Sequence, residues 1–259
     1  QWLLREALLS DLIDRESVYY VNADDNYRGL VEKIELAEEW GMHVLAPHHN
    51  NFKANDIPEL MSLMANDGSA RGSIIVLDTL KKFTDLMDKR AASQFGVSAR
   101  GYVSAGGTLI ALAHTNKHAG ADGKSVYSGT SDIVDDSDCC FVINKVCSKE
   151  DGGKTTETVE FSNIKARGDV SIEIGFTFSK ERGQSYRALL DSVVRLGRDA
   201  LEVTRTQSQL AQELEDDALA IQIICELISQ GINSKDQLIR EARKQTEEST
   251  NRIRDLIDN

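Results

Sequence analysis

The sequence has few of the residues and patterns that are typical of an exported protein, a membrane-spanning protein or a protein stabilised by bound metal ions. It contains two prolines and four cysteines, and the cysteines lack the CxxC spacing of a zinc or redox site. No window approaches the ~18 uninterrupted apolar residues of a membrane helix, and the first residues do not resemble a signal peptide. We therefore expect a cytoplasmic protein without membrane contact, whose cysteines are reduced and buried.

Positive charge and histidine are also scarce. The chain has 30 basic and 42 acidic residues, a net charge of −12, which argues against a broad basic face that coats duplex DNA. A narrow channel with a few basic loops remains open, because such a channel can hold a single strand. The pair His48 and His49 has no nearby partner, which favours a polar loop over a metal site.

Hydrophobic runs and amphipathic stretches alternate along the first half of the chain. Continuous apolar strands are expected at 17–23, 43–46, 73–77 and 108–113, separated by helices at 1–13, 27–40, 57–66 and 85–104. This alternation is typical of a parallel sheet covered by helices on both faces, an α/β fold. Three further strands, at 140–147, 158–165 and 171–178, are expected to add antiparallel strands at one edge of that sheet.

The last part of the chain changes character. A helix at 185–201 completes a core of residues 1–201, and the polar residues 202–213 are expected to be a linker. Residues 214–259 show three helical stretches, with Gly231 ending the first and Asn233 or Ser234 capping the second. This pattern fits a small helix-turn-helix-like domain. Its acidic composition leaves DNA contact, docking to another protein and simple packing open.

Polar residues follow three of the predicted parallel strands. The carboxyl ends of such strands meet at one edge, where ligands bind, so these residues are expected to share a site. Asp78 with the adjacent Thr79 is the pattern that holds Mg²⁺ through its water shell beside phosphates. A second carboxylate could deprotonate the attacking water, with Asp24 as first candidate and Asp25 as alternative. The residues at this edge are Asp24, Asp25, Asp78, Thr79, His114 and Lys117.

Three segments resemble a known family. Residues 73–83 (SIIVLDTLKKF), 108–117 (TLIALAHTNK) and 127–143 (YSGTSDIVDDSDCCFVI) resemble the Walker B strand, the sensor strand and the following turn of RecA-like ATPases. The RepA and DnaB types of hexameric replicative helicase are the most similar branches. Residues 159–169 (VEFSNIKARGD) are similar to the strand of those helicases that ends in Lys-x-Arg. The resemblance covers about residues 1–180, and its motifs occur in the family's order.

The resemblance implies ATP and Mg²⁺ as cofactors and a homo-oligomer, expected to be a hexamer, with ATP sites between subunits. Asp78 corresponds to the Walker B aspartate, Asp24 to the catalytic glutamate, and His114 to the sensor of the γ-phosphate. Lys165 and Arg167 would reach the neighbouring subunit's ATP. Both are expected on one face of a strand, with no acidic partner in the adjacent sequence.

The family also implies contact with single-stranded DNA. The glycine-rich residues 118–126 correspond to a channel loop in which Lys124 would contact the strand, although a solvent loop explains the composition equally well. Arg100 and the neighbouring Gly101 lie near a second candidate channel loop. The C-terminal helices are a candidate docking site for a replication protein.

Two departures from the family pattern affect the expected function. The GxxxxGK[ST] loop that cradles phosphates is missing from the sequence, and we expect it immediately before residue 1. Asp24 replaces a glutamate, which shortens the catalytic side chain by one methylene. The leading prediction is an ATP-driven helicase in DNA replication. A KaiC-type or recombinase-mediator regulatory ATPase and a non-hydrolysing structural ring remain as alternatives.

Overall fold

A computed structural model describes residues 1–47, 49, 51–115, 131–246 and 248–258. The chain divides into two compact units, residues 1–196 and 197–259. In the part of the chain that is described, no helix is both long and apolar enough to cross a membrane. The helices are α1 (Trp2–Leu9), α2 (Tyr27–Trp40), α3 (Ile57–Asp67), α4 (Lys89–Ser104), α5 (Ser131–Asp136), α6 (Tyr186–Asp191), α7 (Arg198–Ser229), α8 (Lys235–Gln245) and α9 (Thr250–Asp258). The strands are β1 (Val18–Asn22), β2 (His43–Leu45), β3 (Ile74–Asp78), β4 (Thr108–Leu112), β5 (Cys139–Asp151), β6 (Lys154–Ala166), β7 (Glu173–Glu181) and β8 (Val194–Leu196).

The first four strands form the predicted parallel sheet, in the order β2-β1-β3-β4. Side chains that alternate along β1 and β3 enter two separate cores, as the pleat of a strand requires. Tyr20 and Val76 pack on one face in a cluster with residues of α1, α2 and α6. Val21 and Leu77 pack on the other face in a cluster with residues of α3 and α4. Helices therefore cover both faces, which confirms the predicted α/β class.

The antiparallel strands do not extend the parallel sheet, and that part of the prediction is wrong. Among the described residues they form a second four-stranded sheet, in the order β5-β6-β7-β8. The long strands β5 and β6 pair with each other through the turn at Gly152 and Gly153, whose φ values are +57° and +84°. A two-residue turn of this kind needs positive φ at both positions, which glycine provides at little cost. Because β5 and β6 pair with each other in this hairpin, their backbone hydrogen bonds are made within the second sheet.

The helix predicted at 185–201 is interrupted. The short helix α6 ends at Asp191, and Val194–Leu196 forms β8, which pairs with β7. The β-branched pair Val193 and Val194 favours an extended backbone, and Gly197 then caps the next helix. The prediction joined two helices across a strand.

The predicted linker 202–213 differs from the structure in the same region. Helix α7 runs without a break from Arg198 to Ser229 and includes all of these residues. Its polar side chains fit an exposed helix as well as a linker, so composition alone did not separate the two. The three helices predicted for residues 214–259 correspond to the end of α7, to α8 and to α9. They enclose a small core that contains Ile224, Ile239 and Ile253.

Strand β4 forms one edge of the parallel sheet within the described residues. Four of its five residues are exposed, including Ile110 and Leu112 at 43% and 40%. Cysteine burial was also overestimated: all four cysteines are free, but Cys139 and Cys225 are exposed and the other two are half-buried. Apolar sequence in a strand therefore did not guarantee burial.

Gly107 provides a test of the packing between α4 and β4. A Cβ atom at this position would lie within 3 Å of three ring atoms of Tyr102. Tyr102 is fully buried, and its hydroxyl is hydrogen-bonded to the hydroxyl of Ser73. We expect Gly107→Ala to lower the free energy of unfolding by about 1–3 kcal/mol, the usual cost of overpacking. Urea denaturation measures the change.

Gly101 is the matched control, because it lies within α4 and a Cβ there would meet nothing within 4 Å. Gly101→Ala should raise the free energy of unfolding by up to about 1 kcal/mol through helix propensity. Equal stability of the two variants would contradict the close packing of Gly107 on Tyr102.

Candidate functional site

The turn after β1 is organised by a buried asparagine. The side-chain oxygen of Asn22 accepts the backbone N–H groups of Asp24 and Asp25, at 3.2 and 3.1 Å. Its side-chain amide donates to the carboxylate of Asp25, and Asn26 then caps α2 by accepting the N–H of Gly29. Polar side chains that bond to nearby backbone in this way fix tight turns. The sequence NADDN therefore holds two carboxylates at the end of β1.

Asp78 lies beside this turn because the strands are in parallel register. It pairs with Asn22 across β1 and β3, and its carboxylate accepts a hydrogen bond from the hydroxyl of Tyr20. The same oxygen, Oδ2, lies 3.5 Å from Nζ of Lys33. Lys33 also contacts the carboxylate of Asp25. The two carboxylates thus share one ammonium group.

Lys33 is held between aromatic rings as well as carboxylates. Its Nζ lies 5.7 Å from the ring centre of Tyr20 and 5.8 Å from that of Tyr186, distances at which an aromatic face attracts a cation. The side chain is only 14% exposed. The ammonium therefore has little freedom to leave both carboxylates at once.

The surroundings change the acidity of several of these groups. Burial raises the pKa of the Tyr20 hydroxyl well above its usual range, and the hydrogen bond to Asp78 adds to the effect. Burial likewise raises the pKa of Tyr186. Burial alone would raise the pKa of Asp25, but the hydrogen bonds from Lys33 and Asn22 outweigh it and leave that pKa lowered. At neutral pH, Asp25 is therefore ionised and both tyrosines are neutral.

Asp24 has longer and more exposed contacts than Asp25. Its carboxylate lies 3.5 Å from Nε2 of His114, which follows β4, and 3.8 Å from Nζ of Lys82. The structure therefore brings Asp24, Asp25, Asp78 and His114 together at the carboxyl edge of the sheet, the edge where the sequence placed a site.

The residue that precedes α1 lies at the same edge of the sheet. The backbone nitrogen of Gln1 is buried near the charged groups of Lys33 and Asp78. The side-chain Nε2 of Gln1 is also buried and makes no hydrogen bond of normal geometry with the described residues. The amino end of a helix, where backbone N–H groups are unpaired, therefore lies beside Asp78 and Lys33.

Other predicted site residues lie elsewhere. Thr79, which follows a cis peptide bond, is buried, and its hydroxyl donates to the backbone oxygen of Leu112 at 2.8 Å. That contact connects the residue after β3 to the end of β4 within the sheet. Lys117 and Lys124, predicted to contact the nucleotide and DNA, lie outside the described residues.

Arg100, Lys165 and Arg167 form a second cluster. Arg100 lies within α4, inside the predicted helix, and it and Arg167 each approach the carboxylate of Asp138 at 3.1 Å. Lys165 donates to backbone oxygens near the end of α5, including that of Val134 at 2.8 Å. The acidic partner of Arg167, Asp138, lies 29 residues earlier in the chain and therefore outside the adjacent sequence. Hydrogen bonds from Arg100 and then Arg167 lower the pKa of Asp138.

Sequence reasoning missed Asn22, Lys33 and Asp138. Lys33 carried a usable signal: it shares a face of α2 with the buried Leu30 and Ala37, three and four residues away, and a lysine on the core-facing stripe of a helix needs an anionic partner. Asn22 had the turn pattern described above. Asp138 had no signal of its own, because only the tertiary fold places it between two arginines.

The described residues contain no group of three or more histidine, cysteine or acidic side chains placed to hold a metal ion. No protein-family model matches the chain, and no curated protein is significantly similar to it. The function of this site therefore has to be argued from its geometry.

The contacts of Asp25 predict a pH-dependent contribution to stability. A carboxyl group whose pKa is lower in the folded state stabilises the fold above its unfolded pKa, and this contribution is lost as the pH falls through the folded value. We expect Asp25→Asn to be less stable than the wild type at pH 7. The difference should narrow as the pH falls below about 4, the ordinary pKa of an aspartate.

Urea denaturation between pH 7 and pH 3 measures both proteins. The exposed Asp169 gives the control, since Asp169→Asn should follow the wild type throughout. A constant difference between Asp25→Asn and the wild type across this range would contradict the role of the Asp25 carboxylate.

Proposed function

We propose that the chain is the core of a cytoplasmic RecA-like ATPase that hydrolyses ATP and moves along single-stranded DNA as a ring-forming replicative helicase. One observation carries the proposal: three carboxylates and a histidine lie together at the carboxyl edge of a parallel sheet, and one of them, Asp78, also lies near the amino end of α1. Ligands of open parallel sheets bind at this edge, and the amino end of a helix attracts phosphate. The motif resemblance of residues 73–83 and 108–117 assigns the phosphate to ATP.

The proposed division of labour follows the contacts. Asp24 is the better candidate for the group that orients and deprotonates the attacking water, because Asp25 is engaged by Lys33 and Asn22. His114 touches Asp24 from the end of β4, where a change at the γ-phosphate could be passed to the residues that follow.

The residues present fit a Mg²⁺ ion bound together with ATP. Mg²⁺ in nucleotide sites takes one or two carboxylates, with phosphate oxygens and water as its other ligands, so a complete protein cage is not required. Asp78 would supply the carboxylate; its side chain is 20% exposed and both of its close contacts involve Oδ2. The ion's contribution would be to neutralise charge that develops on the phosphates during transfer.

Replacement of Asp24 tests the proposed chemistry. In the full-length protein, Asp24→Asn should reduce steady-state ATP hydrolysis by about 100-fold or more, the usual contribution of a general base. Binding of a fluorescent ATP analogue should persist, since the phosphate contacts remain. Phosphate release measures turnover, and fluorescence anisotropy measures binding.

Asp25→Asn provides the comparison at the adjacent position and should retain more activity than Asp24→Asn. Normal turnover by Asp24→Asn with an inactive Asp25→Asn would move the base to Asp25. Failure of the wild type to bind the ATP analogue would overturn the proposed function as a whole.

We also propose that the active assembly is a homo-oligomer, a hexamer in the family it resembles, in which Lys165 and Arg167 act on the neighbouring subunit's ATP. A cation supplied across a subunit interface can raise the rate of phosphoryl transfer by about 10³-fold or more. Arg167 is half-exposed, so its guanidinium is accessible while Asp138 holds it. Lys117 and Lys124 remain proposed contacts to ATP and DNA, and the C-terminal unit a proposed docking site for a replication protein.

Mixing two inactive variants tests this shared site. Arg167→Ala and Asp24→Asn should each be inactive alone, but mixed oligomers should recover part of the ATPase activity where an intact Asp24 faces an intact Arg167. The exposed Arg182 gives a control, because Arg182→Ala should keep normal activity. No recovery, when mixed oligomers are shown to form, would contradict a shared site.

A further inference from the structure

Lys33 contacts the Asp78 carboxylate that the proposed function assigns to Mg²⁺. Its ammonium lies 3.5 Å from Oδ2 of Asp78 and closer to the carboxylate of Asp25. Two cations a few ångströms apart in a partly buried site repel each other strongly, because water screens them poorly. A metal ion and the Lys33 ammonium therefore compete for the same carboxylate.

We propose that Lys33 is the resident counter-ion of Asp25 and Asp78 and keeps free divalent metal off Asp78 until a phosphate ligand accompanies it. The inference rests on the proposed function in one respect, namely that Asp78 faces a metal–phosphate ligand. In the absence of that ligand, Lys33 balances two carboxylates that would otherwise be partly buried with unpaired charge, which is costly.

Lys33 contacts Asp25 more closely than Asp78, which allows a metal ion to replace it at Asp78. Asp25 holds the ammonium more closely, and the rings of Tyr20 and Tyr186 confine it on the sides. Lys33 can therefore lengthen its contact with Asp78 while staying paired with Asp25. The negative charge of a phosphate near both cations would offset their repulsion, so metal entry becomes coupled to phosphate entry.

Metal binding without nucleotide tests this role. Lys33→Met keeps the length of the side chain and removes its charge, and it should bind free Mn²⁺ at least tenfold more tightly than the wild type. Electron paramagnetic resonance of the Mn²⁺ titration measures the affinity. Lys81→Met is the matched control, because Lys81 is an exposed lysine next to the site and should leave the affinity unchanged. Lys33→Arg, which keeps the charge, should also behave as the wild type.

The double variant Lys33→Met with Asp78→Asn tests whether the additional Mn²⁺ binds at Asp78. We expect this variant to lose the gain in Mn²⁺ affinity. If Lys33→Met proves unstable, its melting temperature supplies the second measurement: Mn²⁺ should raise it more than it raises that of the wild type. Equal Mn²⁺ affinity and equal stabilisation of Lys33→Met and the wild type would overturn the proposal, as would a gain that persists in the double variant.

The test of Lys33 can fail or succeed independently of the test of the proposed function. The Mn²⁺ titration needs no ATP, so a gain that depends on Asp78 supports Lys33 as its counter-ion even in a protein that fails to bind the ATP analogue. Conversely, a wild type that binds and hydrolyses ATP, with a Lys33→Met variant that gains no affinity for Mn²⁺, would leave the ATPase proposal standing and reject this role for Lys33.

Discussion

Parallel pairing in register is the constraint on which the candidate site depends. Asn22 on β1 lies opposite Asp78 on β3, and Asp78 lies opposite Leu112 on β4. Because the strands end at the same level, the turn that carries Asp24, the carboxylate of Asp78 and the imidazole of His114 meet without any long-range signal in the sequence. A shift of one residue would turn Asp78 to the other face of the sheet and would separate it from Tyr20 and Lys33.

The polar contacts at this edge are held by the two apolar layers of the sheet. Tyr20 is almost fully buried in one layer, yet its hydroxyl reaches Asp78 at the strand end. Lys33 extends from a helix whose neighbouring positions pack on the same layer. This apolar layer fixes the positions of Tyr20 and Lys33, which contact the carboxylates. Substitutions in a network connected in this way have non-additive effects on stability.

Much of the core was predictable because its signals are local. Apolar runs predicted the four parallel strands, the polar residues at the ends of β1, β3 and β4 predicted the carboxylates and His114, and Gly231 predicted the end of the first C-terminal helix. Other features depended on partners elsewhere in the chain. Val194–Leu196 becomes a strand because β7 is beside it, and Arg167 is paired because the fold brings Asp138 to it. Lys33 lies between these cases, since its place on a buried helix face was visible but its two carboxylates were not.

Strand β4 has a consequence for the behaviour of the protein in solution. Its outer edge is unpaired within the described residues, and Ile110 and Leu112 are exposed beside it. A strand edge of this kind presents a row of backbone donors and acceptors next to apolar side chains, which is a template for pairing with another strand. When that edge is uncovered, chains at high concentration can pair through the five residues of β4. The net charge of −12 opposes such pairing, because like-charged molecules repel each other.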